Sequence, residues 1–337
     1  MAQAVNGEDV RVDVTAIEKQ LAELWRAEKH DDDDAVTRAA LWNVVAHTWS
    51  EERHAHATEV LSRVSASVPQ RTIVVRADPH AEPSIASWIS ANCHLIGGDR
   101  QVCSEEVSVV ASGDRVHHIA PLMKALLLPD MPVAVWWVGD LPDDREYAET
   151  LLDPADRVIV DSSHFDSADD LSHVLDIAQR STTAPADLNW ARLEEWRVAT
   201  ATLFDAEAMR ERLPTVKHVR VICGGDESFG SRAAALLYAA WFRVQSGSEP
   251  TYEIVRDSET PGIRGVQLEF ADGSNASIRC EREGGAVIAH SDFGETKLEC
   301  VARALAHSTE DLIVRLLKRP EADGVYLKAL KAARALA

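Results

Sequence analysis

The chain of 337 residues is 46% hydrophobic and 27% charged, and its formal net charge at pH 7 is −20. This composition is typical of a globular protein long enough for two domains, and it excludes a disordered chain. A surface this acidic repels phosphate backbones and anionic lipids, so we expect neither nucleic-acid nor membrane binding.

Tryptophan is unusually frequent: the chain has nine, more than its six phenylalanines or its four tyrosines. Side chains of this size usually fill cores, and they are also common anchors of protein interfaces. Both uses stay open for the tryptophans at the level of sequence.

Targeting and redox signals are weak. Residues 1–13 are polar and lack the basic and apolar regions of a signal peptide. The longest strongly apolar stretch, residues 133–138, is too short to span a bilayer. The five cysteines are scattered, and no pair has CxxC spacing. We therefore expect a cytoplasmic protein with reduced thiols, and a redox sensor built on one cysteine pair remains an alternative hypothesis.

The first half of the chain alternates helical and strand patterns. In chain order, these patterns predict a helix at 14–29, a strand at 41–48, a helix at 51–64, strands at 71–76, 85–95 and 102–111, a helix at 116–128, a strand at 133–138, a helix at 146–152 and a strand at 157–161. The turn Gly97–Asp99 predicts antiparallel pairing of the two strands that flank it. The continuous apolar runs VAVWWV and RVIVD are typical of strands buried on both faces.

The second half begins after a small, polar, proline-containing segment, STTAPAD (181–187), which predicts a linker. The patterns that follow predict a helix at 188–204, a strand at 216–223, a helix at 231–244, strands at 252–255, 266–270, 276–280 and 286–290, and helices at 295–306, 310–318 and 325–336. We therefore predict an α/β fold with two α/β units, residues 1–180 and 188–337, each with a mixed sheet, and a helical C-terminal segment. The similar order of elements in both halves hints at a weak internal duplication.

Polar residues follow two of the predicted buried strands. Asp140 follows the first, and Asp161 with Ser162 follows the second, at the edge where open α/β sheets bind ligands. The sequence there is not the GxSxG of a nucleophile elbow, and the histidines of the chain lack metal-site spacing. We therefore expect no catalytic residue, no metal and no cofactor. An enzyme or sensor that binds a small sugar-phosphate-like ligand at this edge remains the alternative.

The run VAVWWV places Trp136 beside Trp137, and neighbours in a strand point to opposite faces of the sheet. If either face is uncovered, the exposed indole forms an aromatic patch suited to a protein partner. We therefore take Trp136, Trp137, Asp140, Asp161 and Ser162 as candidate partner-binding residues.

Several ordered segments resemble the OpcA family, the glucose-6-phosphate dehydrogenase assembly or effector proteins of cyanobacteria and actinobacteria. The segments are CSEEVSVVASGD (103–114), LLLPDMPVAVWWVGDLP (126–142), DRVIVDSSHF (156–165), DLNWARLEEWRVATATLFD (187–205) and, more loosely, VARALAHSTEDL (301–312). With the helix at 14–29 and RTIVVRADP (71–79), the resemblance covers most of the chain.

The resemblance implies a protein that is not itself an enzyme. It would bind glucose-6-phosphate dehydrogenase and promote the active, oligomeric form of that enzyme, which produces NADPH in the oxidative pentose phosphate pathway. Such an allosteric activator works by linkage, because a partner that prefers the active assembly shifts the population towards it.

Overall fold

The computed structural model describes residues 3–5, 14–28, 37–96, 100–142, 144–180, 182–281, 286–293, 296–303 and 307–336. The predicted turn Gly97–Asp99 lies outside these residues. Helices and mixed sheets alternate along the chain, which confirms the predicted α/β class. No helix in the described ranges is both long and apolar enough to cross a membrane.

The elements are numbered in chain order. The strands are β1 Gln3–Val5, β2 Thr37–Arg38, β3 Trp42–Thr48, β4 Gln70–Asp78, β5 Ser84–Ile96, β6 Arg100–Ser112, β7 Val133–Trp137, β8 Arg157–Val160, β9 Ala184–Asp187, β10 Val216–Gly224, β11 Thr251–Ser258, β12 Gly262–Phe270, β13 Asn275–Glu281, β14 Ala286–Phe293 and β15 Thr296–Arg303. The helices are α1 Val14–Glu28, α2 Glu51–Ser65, α3 Ile119–Leu126, α4 Arg145–Leu152, α5 Ala168–Arg180, α6 Leu188–Arg192, α7 Glu194–Leu203, α8 Glu207–Arg210, α9 Phe229–Ser246, α10 Thr309–Leu317 and α11 Gly324–Leu336.

The chain folds into two compact units. The first consists of Met1–Val160, Thr182–Ala184 and Thr309–Pro320, and the second of Asp161–Ser181, Pro185–Ser308 and Glu321–Ala337. The predicted domains, 1–180 and 188–337, differ from these units chiefly in where residues 161–180 and 309–320 belong. The division of the chain into those two domains stays a prediction.

The first unit contains a sheet with the order β1-β5-β6-β4-β3-β7-β8, which Ala184 of β9 continues, and β2 pairs with β6. Strands β6, β4, β3, β7 and β8 are parallel neighbours, whereas β5 is antiparallel to β6 and to β1. Every residue of β7 and β8 is buried, as predicted from the continuous apolar runs, and every residue of β3 is buried as well. Helices therefore cover both faces of the sheet.

One buried cation connects the sheet to the helices on one face. Arg71 of β4 is 2% exposed, and its guanidinium donates to Glu105 of β6, to Glu18 of α1 and to the carbonyl oxygen of Leu126 at the end of α3. The Glu105 carboxylate is 3% exposed. A buried charge is tolerated only when it is paired and hydrogen-bonded, and this network provides both conditions.

The second unit has a sheet of order β11-β10-β12-β13-β14-β15, in which β10 and β11 are parallel and the other pairs antiparallel. Helix α9 packs on β10 and β12, and its alanines let the helix approach the sheet closely. Its Tyr238 hydroxyl lies 2.6 Å from the Thr200 hydroxyl of α7. The two sheets differ in strand order and direction, so the similar element order does not produce the same topology twice.

Three predictions about the second half are wrong in detail. Residues 296–303 form β15 and not a helix, because pairing along β14 satisfies their backbone hydrogen bonds and outweighs the helical propensity of alanine, leucine and lysine. The predicted linker contains β9, whose four residues are all buried. The predicted helix at 188–204 is interrupted at Leu193 and forms α6 and α7.

The cysteines also depart from expectation. Cys93 and Cys103 form a disulfide between β5 and β6, where the antiparallel register places them directly opposite each other with a Cα–Cα distance of 4.0 Å. Cys223 is buried and carries a free thiol. The spacing of these two bridged residues along the chain carried no signal, because only strand register brings them together.

The Arg71 network generates a stability prediction. Replacing Arg71 with Met removes the buried ion pair between Arg71 and Glu105, so we expect the free energy of unfolding to fall by about 3–5 kcal/mol. Urea denaturation followed by circular dichroism measures this loss. The exposed pair Lys124–Asp153, at 2.7 Å, provides the matched control. Lys124→Met should change stability by no more than about 1 kcal/mol, and equal losses for the two variants would contradict the assignment.

Candidate functional site

The parallel strands of the first unit define where a ligand site would lie. Numbered in chain order from β3, they stand in the order 3-2-1-4-5 across the sheet, which is the order of doubly wound dinucleotide-binding folds. The direction of winding reverses between β3 and β7. In such sheets the ligand crevice opens at the carboxyl ends of the two strands that flank this reversal.

Aromatic side chains fill the carboxyl ends of β3 and β7. The His47 ring lies 4.7 Å from the Trp49 ring and 4.9 Å from the Trp137 ring, and its Nε2 atom lies 2.7 Å from the Tyr147 hydroxyl. Burial lowers the pKa of His47 to about 3 and raises the pKa of Tyr147. Both groups are therefore neutral at physiological pH, and this edge of the sheet is packed with uncharged rings.

The turn from β3 into α2 does not fit a dinucleotide. Pyrophosphate binding at this turn requires glycines and free amides at the helix N-terminus. Here the turn contains Trp49 and Ser50, and the Ser50 hydroxyl oxygen accepts a hydrogen bond from the Arg53 amide. Glu51 and Glu52 occupy the first turn of α2, where their charges oppose a phosphate. The residues present exclude the usual cofactor geometry of this fold.

Asp140 lies on the surface just after β7. Its carboxylate accepts a 2.7 Å hydrogen bond from Arg53 of α2, and the two side chains are 51% and 34% exposed. Gly139 has a φ of +98°, and a Cβ atom there would lie 2.0 Å from the Arg53 guanidinium. Glycine at this position thus permits both the turn and the ion pair, and it presents Asp140 to solvent.

Trp136 and Trp137 point to opposite faces, as predicted. The Trp136 ring lies 6.4 Å from the His56 ring of α2, whereas the Trp137 ring packs against His47. Both indoles are buried, with 2% and 1% of their surface exposed. Within this chain they are core residues and form no surface patch, because helices cover both faces of the sheet. Their role in partner binding stays an untested prediction.

Asp161 and Ser162 belong to the second unit, and both are buried. Both Asp161 oxygens accept hydrogen bonds of 2.8 Å from the Arg192 guanidinium. Burial by itself raises the pKa of Asp161, but the hydrogen bonds and charge of Arg192 outweigh burial and lower it. The Ser163 hydroxyl donates to the same carboxylate at 2.6 Å. The Ser163 hydroxyl is therefore bonded to the Asp161 carboxylate, whose charge Arg192 already neutralises.

Sequence reasoning missed a second carboxylate beside this ion pair. Asp187 is fully buried, and its Oδ1 atom accepts hydrogen bonds from the amides of Ser162 and Asn189. The Tyr326 hydroxyl donates to Oδ2 at 3.5 Å. Burial, followed by the charge of Asp161, raises the pKa of Asp187 to about 6. The sequence signal was the helix-capping pattern DLN at the start of α6, whose Asp187 is the last residue of the predicted linker.

These clusters have the features of structural networks. Ser162 is enclosed, and its Oγ atom accepts a hydrogen bond from the Asn189 amide group. An activated nucleophile needs a neighbouring base that can take its proton, and the acid beside Ser163 is engaged by Arg192. Among the described residues, no group of three or more His, Cys, Asp or Glu side chains is arranged to hold a metal.

The first unit therefore has a doubly wound α/β sheet, and the turn from β3 into α2 lacks the glycines with which such folds bind a nucleotide. Two family models match the chain: the glucose-6-phosphate dehydrogenase subunit N-terminal domain over residues 61–179, and the corresponding C-terminal domain over residues 183–330. Together they cover most of the chain, which therefore belongs to the OpcA family.

Curated relatives agree with the family models. The chain is 27% identical over 230 residues to a protein of Synechocystis sp. provisionally named OxPP cycle protein OpcA, covering 67% of this chain and 46% of that protein. It is 29% identical over 229 residues to the protein of the same name in Synechococcus elongatus, covering 67% and 50%. The chain thus spans about half the length of the curated relatives it matches.

Solved structures give a distant likeness. A 3-ketoreductase from Actinomadura kijaniata, KijD10, aligns over 88% of this chain and 95% of its own with a TM-score of 0.49 and 9% identity. An oxidoreductase from Sinorhizobium meliloti aligns over 88% and 89% with a TM-score of 0.47 and 13% identity. Similarity at this level carries no information about activity.

The burial of Trp137 generates a prediction. Trp137→Ala should lower the free energy of unfolding by about 3–5 kcal/mol, because it removes a large side chain from a packed core. Thermal and urea denaturation measure this loss. Leu41→Ala, at a position that is 59% exposed, serves as the control and should unfold like the wild type. A stable, fully folded Trp137→Ala protein would show instead that this indole is dispensable for the core.

The raised pKa of Asp187 generates a second prediction. Between pH 4 and pH 6 the folded state binds more protons at this carboxyl than the unfolded state, so its contribution to stability is lost as the pH rises through about 6. Asp187→Asn removes this titration. Its stability relative to the wild type should therefore increase by about 2 kcal/mol from pH 4 to pH 7 in urea denaturation. A flat difference for Asp187→Asn would refute the prediction.

Proposed function

We propose that this chain binds glucose-6-phosphate dehydrogenase and promotes its assembly into the active oligomer, and that it catalyses no reaction itself. Both matched family models are described as domains of a glucose-6-phosphate dehydrogenase subunit. The relatives in Synechocystis and Synechococcus are named for the oxidative pentose phosphate cycle. A role as a subunit or assembly partner follows these descriptions most directly.

The proposal that this chain catalyses no reaction rests on the closed carboxyl edge of the first sheet, at β3 and β7. The reversal point between β3 and β7 is the place where a doubly wound enzyme binds its cofactor. Here it holds Trp49 against His47, and two glutamates begin α2. A chain that has this fold but no cofactor-binding turn still provides a stable scaffold. This supports a role in which the chain acts by binding a partner protein through its surface.

Activation then requires only a difference in affinity. If this chain binds the active assembly more tightly than the inactive one, it shifts the equilibrium by that difference in binding free energy. No residue of this chain has to touch the substrate of the dehydrogenase. The net charge of −20 adds long-range attraction for a basic patch on the partner and raises the association rate.

Among the five candidate partner-binding residues, Asp140 is the one that the structure leaves exposed. Its carboxylate is half exposed next to Arg53, whereas the other four side chains are buried. We therefore assign Asp140 to the proposed contact surface. The alternative function, sugar-phosphate binding at the strand edge, needs a cation for the phosphate. Arg53 and Arg192, the arginines described above at these edges, are each paired with a carboxylate.

The test is a titration of the cognate glucose-6-phosphate dehydrogenase with this purified chain. We expect a saturable increase in the rate of NADPH formation together with a larger complex in light scattering, because binding and assembly are linked. The chain alone, supplied with glucose 6-phosphate and NADP⁺, should produce no NADPH. Unchanged rate and unchanged mass with a folded chain would refute the proposal.

A matched pair of variants locates the surface. Asp140 and Asp153 are both exposed carboxylates held by one cation at 2.7 Å. Asp140→Ala should raise the half-activating concentration about tenfold, which corresponds to about 1.4 kcal/mol, whereas Asp153→Ala should leave it unchanged. Equal effects of the two variants would show that the contact depends on overall charge and not on Asp140.

A further inference from the structure

A groove in the first unit is lined by α2 and by one face of the sheet. Its volume is about 660 Å³, within the range of small-molecule sites. The α2 side contributes residues three and four positions apart, which share one helix face, and the sheet side contributes alternate residues of β5 and β6. The lining used below comprises His54, Thr58, Ser62, Arg76, Trp88, Ser90, Asn92, Glu106 and Ser108.

The floor of the groove is a set of linked hydrogen-bonding groups. The Ser62 hydroxyl donates to the Asn92 side-chain oxygen at 3.1 Å, and the Asn92 nitrogen donates to Glu106 at 3.3 Å. The Ser108 hydroxyl lies 2.8 Å from His54 Nε2. Hydroxyl and amide groups both donate and accept hydrogen bonds, so this floor matches a ligand whose own groups do both.

The groove offers a ligand no unpaired arginine or lysine among its described lining residues. Burial raises the pKa of Glu106, against the hydrogen bonds of Asn92 and Ser90. Burial, and then the charge of Arg76, lowers the pKa of His54. At the rim, Arg76 pairs with Glu51 at 3.1 Å, which leaves no excess positive charge there. A phosphate or carboxylate ligand therefore lacks a counter-ion in this groove.

One further feature points to a ligand with an apolar face. Trp88 lines one wall of the groove, and an indole face packs against the C–H groups of a ring.

From this geometry we propose that the groove between α2 and the β5–β6 face binds a neutral polyhydroxylated molecule of one or two sugar rings. One ring face packs on Trp88, and its hydroxyls bond to the Asn92, Ser90 and Ser108 side chains. This site is independent of the proposed action on the dehydrogenase, because it can be measured on the chain alone.

The test uses the purified full-length chain with four probes: trehalose, D-glucose, glucose 6-phosphate and adenosine. Saturation-transfer NMR and titration calorimetry report binding. We expect saturable binding of trehalose or D-glucose, and at least tenfold weaker binding of glucose 6-phosphate, since the groove gives its phosphate no free cation. No binding of either neutral sugar, or a preference for the phosphate ester or for adenosine, would overturn the proposal.

Variants separate a real site from weak surface contact. Trp88→Ala should weaken sugar binding about tenfold by removing the stacking wall, and Trp88→Phe should restore most of it. Leu41→Ala, an exposed position outside the groove, should bind like the wild type. Circular dichroism verifies that each variant is folded. If Trp88→Ala and Leu41→Ala bind equally well, the sugar does not occupy this groove.

Discussion

The pairing of β3 with β7 is the constraint on which the first unit depends. Both strands are buried along their whole length, so helices must cover both faces of the sheet. The pairing also marks the point where the winding reverses and fixes which residues meet at the carboxyl edge. It turns two adjacent tryptophans into core residues on opposite faces, and it leaves Asp140 as the first exposed carboxylate after β7.

The same pairing also places the turn that decides whether a nucleotide can bind. A doubly wound sheet offers one crevice for a nucleotide, but the crevice is useful only if the first turn exposes backbone amides. In this chain an aromatic cluster around His47 fills the edge, and Glu51 with Glu52 opposes phosphate. Architecture alone therefore misleads about chemistry, because a few residues in one turn decide whether the crevice can bind.

Two ion pairs shape the chemistry of the interior. Arg71 with Glu105, and Arg192 with Asp161, are charges whose burial is balanced by a partner. Such pairs orient strands and helices, and each cation neutralises the carboxylate beside it. In the groove beside α2, by contrast, hydrogen-bonding side chains and an indole line an opening to solvent.

The sequence by itself determined the α/β class, the strands buried on both faces and the helices whose caps and apolar periods agree. These are local properties, since a continuous apolar run such as VAVWWV has few other stable uses. Only the tertiary structure decided that residues 296–303 are a strand, that Cys93 meets Cys103, and that Asp187 lies beside Asp161. Each of these three features depends on residues that are distant along the chain. Strand register, and not local propensity, pairs β15 with β14 and Cys93 with Cys103. Burial in low-dielectric surroundings raises the pKa of Asp187.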